Sequence, residues 1–124
     1  CEALTQFFFE ADGFLRFRDA CADAGITAPI TPGILPITNW NSARKFAQKC
    51  GAYIPDELAQ TFDKATRDGR LDLLSVAQCT ELCDDLLNEG VSDLHLYTLN
   101  RPDLTRDVCH ALGVTRSHSI RNVA

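Results

Sequence analysis

The chain has 124 residues, of which 45% are hydrophobic and 23% charged, and this length and composition fit one folded domain and argue against disorder. A formal net charge of -5, with no cationic cluster longer than Arg44-Lys45, argues against nucleic-acid binding. No apolar run approaches the roughly 18 residues of a membrane span, so we expect a cytoplasmic protein.

The first predicted unit is a strand followed by a helix. Residues 4–9 are aromatic and apolar on both faces, which is typical of a strand in a parallel sheet that is covered on both sides. Over residues 13–24, Phe14 and Phe17 recur at helical spacing, and Gly25 is a natural C-terminal cap. These signals predict one βα unit.

The second unit combines one strand with several helices. Prolines punctuate the strand pattern of residues 29–36, which does not suit the middle of an antiparallel ladder. A helix is predicted from about residue 41 to Gly51, with Phe46 on its apolar face. Two further helices are predicted, one from Pro55 to about residue 66 and a longer one over residues 71–89.

The third unit begins with a predicted strand over residues 93–100. Pro102 suits the first position of a helix, and an apolar stripe at helical spacing continues from there to Gly113. Residues 1–114 are therefore predicted to form one domain. Residues 115–124 have little apolar content, and we expect a loose C-terminal tail there.

Strands that alternate with helices predict a parallel α/β architecture. Three strands are too few for a complete fold, because helices on one face would leave the other face of the sheet in water and expose an apolar patch. Two architectures remain: a flavodoxin-like sheet that lacks strands, or the last three βα units of a TIM (β/α)8 barrel, which typically needs about 250 residues. The chain has no Met and begins with Cys1, so we expect a piece of a longer protein.

The six cysteines are predicted to be mainly core residues. Cys21, Cys79, Cys83 and Cys109 each fall in a helical apolar stripe, where a free thiol packs as a small hydrophobic group. Cys79 and Cys83 with His110 leave a metal site open as an alternative, although no second close Cys/His pair completes a zinc pattern. The even number of cysteines also leaves disulfides open.

Gln6 is the first candidate site residue, because binding residues of parallel α/β proteins collect at the carboxyl ends of the strands. By the two-residue period of a strand, Gln6 shares a face with Leu4 and Phe8, opposite Phe7. A buried carboxamide without a hydrogen bond costs about 1–3 kcal/mol, so it needs a partner. That partner is either the protein itself, as in a core amide, or a water or ligand.

Tyr97, Leu99 and Arg101 are spaced by two along the last strand and are therefore predicted to share one face. An aromatic ring, an aliphatic group and a guanidinium in line fit a flat ligand with a carboxylate, which Arg grips bidentately. A solvent-facing Arg101 that caps the loop is the alternative, and Phe46 is either a core aromatic or a ligand contact. No glycine-rich phosphate loop and no nucleophile elbow is present in the sequence.

Three motifs follow one another in the chain: Thr5-Gln6-Phe7-Phe8-Phe9-Glu10, Pro32-Gly33-Ile34-Leu35-Pro36 and Leu94-His95-Leu96-Tyr97-Thr98-Leu99-Asn100-Arg101. Their order and spacing closely resemble the methylenetetrahydrofolate reductase family, and the resemblance covers residues 4–114. It implies an eight-stranded βα barrel, of which this chain resembles the C-terminal portion. It also implies a flavoprotein that passes a hydride from NADH or NADPH to FAD, and from reduced FAD to 5,10-methylenetetrahydrofolate, giving 5-methyltetrahydrofolate for methionine biosynthesis.

The resemblance also implies roles for single residues. Gln6 matches a glutamine that hydrogen-bonds the pterin ring, Phe46 an aromatic that packs on the substrate or the nicotinamide, and Arg101 a residue near the folate tail. Tyr97 and Leu99 line the same pocket. No catalytic residue and no metal ligand is expected in this chain, because the family's catalytic carboxylates and most of its flavin contacts belong to earlier strands.

Other readings stay open beside the resemblance. Ser42 stands where some members of the family carry a longer polar residue, which leaves recognition of the folate tail open. The isolated chain is alternatively a non-catalytic fragment that covers its open sheet edges by forming a homo-oligomer. Another parallel α/β barrel enzyme is a third reading, although the chain lacks the glycine-rich phosphate loop that such an enzyme predicts.

Overall fold

A computed structural model describes residues 2–114 of the chain as three strands and five helices. In chain order they are β1 (Ala3–Phe7), α1 (Ala11–Asp23), β2 (Ile30–Ile34), α2 (Trp40–Lys49), α3 (Asp56–Arg67), α4 (Leu71–Asn88), β3 (His95–Leu96) and α5 (Pro102–Ala111). The predicted tail of residues 115–124 lies outside the described residues. No helix between residues 2 and 114 is long and apolar enough to cross a bilayer.

The strands form one sheet in the order β1-β2-β3, and both strand pairs are parallel. This confirms the predicted parallel α/β architecture. β2 is the central strand and is almost entirely buried. In the described part of the chain, β1 and β3 each pair with β2 alone, so each leaves one edge of its backbone free.

Two hydrophobic clusters hold the helices against the sheet. One joins the end of β1 to α2 and α3, and Trp40, which is 1% exposed, stacks on Phe62 at its centre with ring centroids 4.7 Å apart. The other joins Ile34 of β2 to α1, α4 and α5. Burial of these apolar side chains is the main favourable term in folding, so the helices fix the side of the sheet on which the core lies.

Within the described residues β1 is covered on one face only, as expected above for three strands with helices on one side of the sheet. Leu4 is 51% exposed and Gln6 is exposed, whereas Phe7 is buried. β1 is an edge strand, and the helices bury only one of its faces. Phe17 also lies on the solvent side of α1, outside the buried stripe predicted for it.

The prediction of a strand over residues 93–100 was too long. β3 contains only His95 and Leu96, and the backbone reaches positive φ at Leu99 (43°) and Asn100 (65°). Left-handed φ cannot continue a strand, so the chain turns before α5 begins. The alternation that was predicted to align Tyr97, Leu99 and Arg101 on one face therefore does not extend to Arg101.

Candidate functional site

An open cavity of about 540 Å³ lies at the carboxyl ends of the strands. The ends of β1 and β2, the loop that leads from β2 into α2, and the segment after β3 form its walls. The lining residues are Gln6, Phe7, Leu35, Pro36, Ile37, Thr38, Asn39, Ser42, Ala43, Phe46, Tyr97 and Leu99. Four of the five predicted site residues are among them, namely Gln6, Phe46, Tyr97 and Leu99.

Gln6 reaches the cavity through an irregularity in β1. Leu4 pairs with Thr31 and Phe7 with Gly33, so Thr5 and Gln6 together stand opposite Pro32. An extra residue of this kind is a β-bulge, which bends the strand and changes the direction of its side chains. Both Gln6 and Phe7 line the cavity, which consecutive residues of a regular strand do not do. The alternation predicted from the sequence is therefore interrupted at Gln6 itself.

Tyr97 crosses the sheet beside Gln6. Its hydroxyl donates a hydrogen bond to the carbonyl oxygen of Thr5, 3.0 Å away on β1. Its ring passes over Gly33 of β2, where an added Cβ would lie 2.6 Å from Tyr97 Cε2. Only a glycine leaves room for the ring, which explains the residue type at the centre of the second motif.

Phe46 lies at the mouth of the cavity on α2. It is 44% exposed and stacks on Phe7 with ring centroids 5.5 Å apart. One face of its ring is thus supported by the core, while much of its surface stays open to a ligand. The sequence left two interpretations of Phe46, a buried core aromatic or a ligand contact. The exposure of its side chain does not fit the first of these.

The loop between β2 and α2 forms a polar wall that the sequence analysis did not assign to the site. Asn39 caps α2 by accepting a hydrogen bond from the Ser42 N–H at 3.0 Å. Buried Ser75 of α4 donates a hydrogen bond to the Ile37 carbonyl, which holds this loop against the core. The helix was predicted from about residue 41, but no sequence pattern identified the cap at Asn39 or the contact of Ser75.

Arg101 lies outside the lining of the cavity. Its guanidinium donates to Asp103 at 2.9 and 3.0 Å and to Asp72 at 3.1 Å. The hydrogen bonds to Asp103 and Asp72 raise the pKa of Arg101, and the one to Asp103 contributes most. The hydrogen bond from Arg101 in turn lowers the pKa of Asp103. Arg101 therefore stays cationic and binds carboxylates of its own chain in this structure.

The cysteines beyond Cys1 are free, and no group of three or more potential metal ligands occurs within residues 2–114. Cys79 and Cys83 are buried in α4, and burial raises the pKa of the first to about 12 and of the second to about 11. Cys50 is exposed at the end of α2, outside the core. The core assignment is confirmed for Cys79 and Cys83.

Comparison with known sequences matches the chain to one family. The family described as methylenetetrahydrofolate reductase matches residues 2–113, which include all three strand motifs. This chain belongs to the methylenetetrahydrofolate reductase family. The resemblance seen in the three motifs is thereby confirmed.

Relatives within the family extend from bacteria to animals. The 5,10-methylenetetrahydrofolate reductase of Escherichia coli (strain K12) is 45% identical over 113 residues, which are 90% of this chain and 38% of that protein. The enzyme of the same name from Buchnera aphidicola subsp. Schizaphis graminum (strain Sg) is 36% identical, over 90% of this chain and 39% of that protein. The probable methylenetetrahydrofolate reductase (NADPH) of Caenorhabditis elegans is 34% identical, over 90% of this chain and 17% of that protein.

This member of the methylenetetrahydrofolate reductase family therefore spans well under half the length of the relatives that it matches. The family match over residues 2–113 contains β1, β2, β3 and all residues that line the cavity. The cavity is thus part of the sequence that the chain shares with these reductases.

Proposed function

We propose that this chain is the substrate-facing, C-terminal part of a methylenetetrahydrofolate reductase, a cytoplasmic oxidoreductase that depends on FAD. The complete enzyme uses NADH or NADPH to reduce 5,10-methylenetetrahydrofolate to 5-methyltetrahydrofolate. The observation that carries this proposal is a cavity, in a member of the family, that joins Gln6, Phe46 and Leu99 at the carboxyl ends of the strands. Free, partly buried thiols agree with a reducing compartment.

The chemistry of the cavity suits a flat heteroaromatic ring such as a pterin. Its volume of about 540 Å³ falls in the range usual for small-molecule sites. Gln6 offers both a donor and an acceptor, which match the amide edge of a pterin, and Phe46 offers an aromatic face for stacking. The cavity lining contains no carboxylate and no cation, so these residues bind and orient the substrate and do not transfer protons.

The cavity does not form a cradle for FAD. A flavin dinucleotide needs cationic or backbone N–H groups around its diphosphate, and neither a glycine-rich loop nor a Lys or Arg lines the cavity. In the proposed enzyme, the diphosphate is therefore held by residues outside this segment. The role of this chain is to place the folate and, in turn, the nicotinamide where hydride transfer takes place.

The free edges of β1 and β3 support the proposal that the chain completes a (β/α)8 barrel. In a closed barrel each edge pairs with a further strand, and the exposed face of β1 becomes the barrel interior. When the chain is alone, the same edges and the exposed Leu4 and Leu99 favour self-association into a homo-oligomer.

Arg101 is proposed to bind the carboxylates of the folate tail after a change of partner. Its contact with Asp72 is an exposed ion pair, a type of contact that contributes little to stability. A tail carboxylate can therefore replace Asp72 at small cost while Asp103 continues to hold the guanidinium.

The test replaces Gln6 with Leu in the full-length reductase. Loss of the carboxamide leaves the pterin amide edge without its partner, so kcat/KM for methylenetetrahydrofolate should fall about 10- to 100-fold. Oxidation of NAD(P)H by an artificial acceptor uses the same cavity but needs no pterin contact, so it should fall less than folate reduction does.

The matched control is Gln60→Leu, because Gln60 lies exposed on α3, away from the cavity. This variant should keep both activities. Unchanged folate reduction in Gln6→Leu would contradict the assignment of Gln6, and equal losses of both activities would indicate misfolding and not a lost substrate contact.

A further inference from the structure

The hydrogen bonds around Gln6 differ from those of an ordinary parallel ladder. Pro32, the residue opposite the bulge, has no N–H to donate. The N–H of Gly33 donates to the side-chain Oγ1 of Thr5 at 2.9 Å. In a regular ladder this N–H would donate to a backbone carbonyl, but here it donates to a side chain. The bulge therefore needs additional support to keep one conformation.

That support acts on both peptide groups that flank Gln6. The carbonyl of Thr5, which belongs to the peptide before Gln6, accepts the hydrogen bond from the Tyr97 hydroxyl. The carbonyl of Gln6, which belongs to the peptide after it, accepts a hydrogen bond from Thr5 Oγ1 at 2.9 Å. Two side chains therefore fix the backbone orientation of Gln6 from either side.

Tyr97 is itself held in place from two directions. Its ring lies against Gly33 and meets the ring of His95 edge-on, with centroids 4.7 Å apart. Its backbone N–H donates to the carbonyl of Ile34 at 2.8 Å. Since the Tyr97 hydroxyl proton is directed to Thr5, it is not available to a ligand in the cavity.

We propose that Tyr97 is a positioning residue, which fixes the Thr5–Gln6 peptide so that the Gln6 carboxamide points at the substrate. This inference rests on the proposed function, since it assigns to Tyr97 an action through Gln6. The hydrogen bond from the Tyr97 hydroxyl passes over Gly33 and reaches the backbone of β1. A contact of this kind keeps a binding group within the narrow geometry that binding requires.

The test compares Tyr97→Phe, Gln6→Leu and the double variant in the full-length reductase. Tyr97→Phe should lower kcat/KM for methylenetetrahydrofolate about 5- to 10-fold and should lower NAD(P)H oxidation by an artificial acceptor less than it lowers folate reduction. Adding Tyr97→Phe to Gln6→Leu should cause no further loss, because the two residues act as one unit. The dissociation constant of 5-methyltetrahydrofolate, measured by calorimetry, should follow the same pattern.

Thr5 supplies an independent pair of variants if Tyr97→Phe fails to fold. Thr5→Val removes the hydroxyl at nearly constant shape and should reproduce the loss of folate activity, whereas Thr5→Ser keeps the hydroxyl and should retain it. Tyr53→Phe is the control, because Tyr53 is 68% exposed and lies between α2 and α3 outside the cavity.

The outcomes separate this inference from the proposed function. The positioning role alone would be overturned if the losses in kcat/KM of the two single variants multiply in the double variant. It would also be overturned if Tyr97→Phe keeps full folate activity while Gln6→Leu is impaired. An unaltered enzyme that does not reduce methylenetetrahydrofolate would overturn the proposed function and the positioning role with it. A Gln6→Leu variant with full folate activity would overturn the assignment of Gln6, and with it the positioning role, but not the proposed function.

Discussion

Gly33 of β2 lies close both to β1 and to the segment directly after β3, beside the candidate site. Its missing side chain leaves space for the Thr5 carbonyl on one side and the Tyr97 ring on the other. The backbone φ of Gly33 does not explain its residue type, since the positive-φ glycines lie elsewhere in the chain. Close approach is therefore the physical reason for glycine at this position.

Gly33→Ala should destabilise the protein by about 1–3 kcal/mol, because the new Cβ collides with the Thr5 backbone, which cannot move aside easily. Thermal unfolding of the full-length reductase provides the measurement. Gly13→Ala is the matched control, because Gly13 lies inside α1 with no atom within 4 Å of an added Cβ. That variant should gain about 0.5–1 kcal/mol from helix propensity, and equal stability of the two variants would contradict the account.

At the residue scale, the sequence predicted the identity of the cavity residues better than their geometry. Gln6 was recognisable as a polar group on a strand, and Phe46 as an aromatic group on the helix after the second strand. The bulge was not recognisable, because it depends on how β1 pairs with Pro32, a contact distant in sequence. The ion pair of Arg101 with Asp72 depends in the same way on the packing of α4 beside α5.

At the scale of elements, helices were predicted within about three residues of their observed ends, since capping and periodicity are local signals. β3 was predicted over residues 93–100 but contains only His95 and Leu96. Its apolar pattern continues beyond the last residue that pairs with β2, so the pattern could not reveal where pairing ends. The βα alternation predicted a parallel sheet but not the strand order β1-β2-β3, because the two architectures left open differ in strand order. The solvent-exposed face of β1 agrees with the expectation for three strands with helices on one side.

The thiols of α4 give a test of its packing. Cys79 and Cys83 face the core, and burial raises the pKa of Cys79 from 9.0 to about 12. Both should resist alkylation by iodoacetamide at pH 8 in the native protein, whereas exposed Cys50 should react within minutes. Peptide mapping by mass spectrometry distinguishes the sites, and unfolding in urea should make all of them reactive.

The same shift in pKa has a consequence for stability. The folded state holds the Cys79 proton more tightly than the unfolded state. The contribution of this thiol to the free energy of unfolding is therefore fully present below about pH 9 and is lost as the pH rises toward about 12. Native Cys79 that alkylates as fast as Cys50 at pH 8 would contradict the packing of α4 described above.

At the scale of the whole molecule, residues 2–114 form a well-packed helical side and a three-stranded sheet whose outer strands each pair on one side only. The two hydrophobic clusters lie between the sheet and the helices. Leu4 on β1 and Leu99 after β3 are exposed, and within the described residues β1 and β3 each pair with β2 alone. In the barrel that we propose, further strands pair with these edges and cover this surface. The segment shared with the reductases accounts for 38% of the E. coli relative, which leaves ample chain there to cover it.

The most direct test of the central claim transfers residues 2–113 of this chain into the E. coli reductase, in place of the segment with which they align. We predict that the chimera binds flavin, shown by its yellow absorbance band, and reduces methylenetetrahydrofolate with NAD(P)H. The isolated chain of 124 residues should do neither. A flavin-loaded chimera that oxidises NAD(P)H but does not reduce the folate, or an isolated chain that binds FAD and oxidises NADH, would contradict the account.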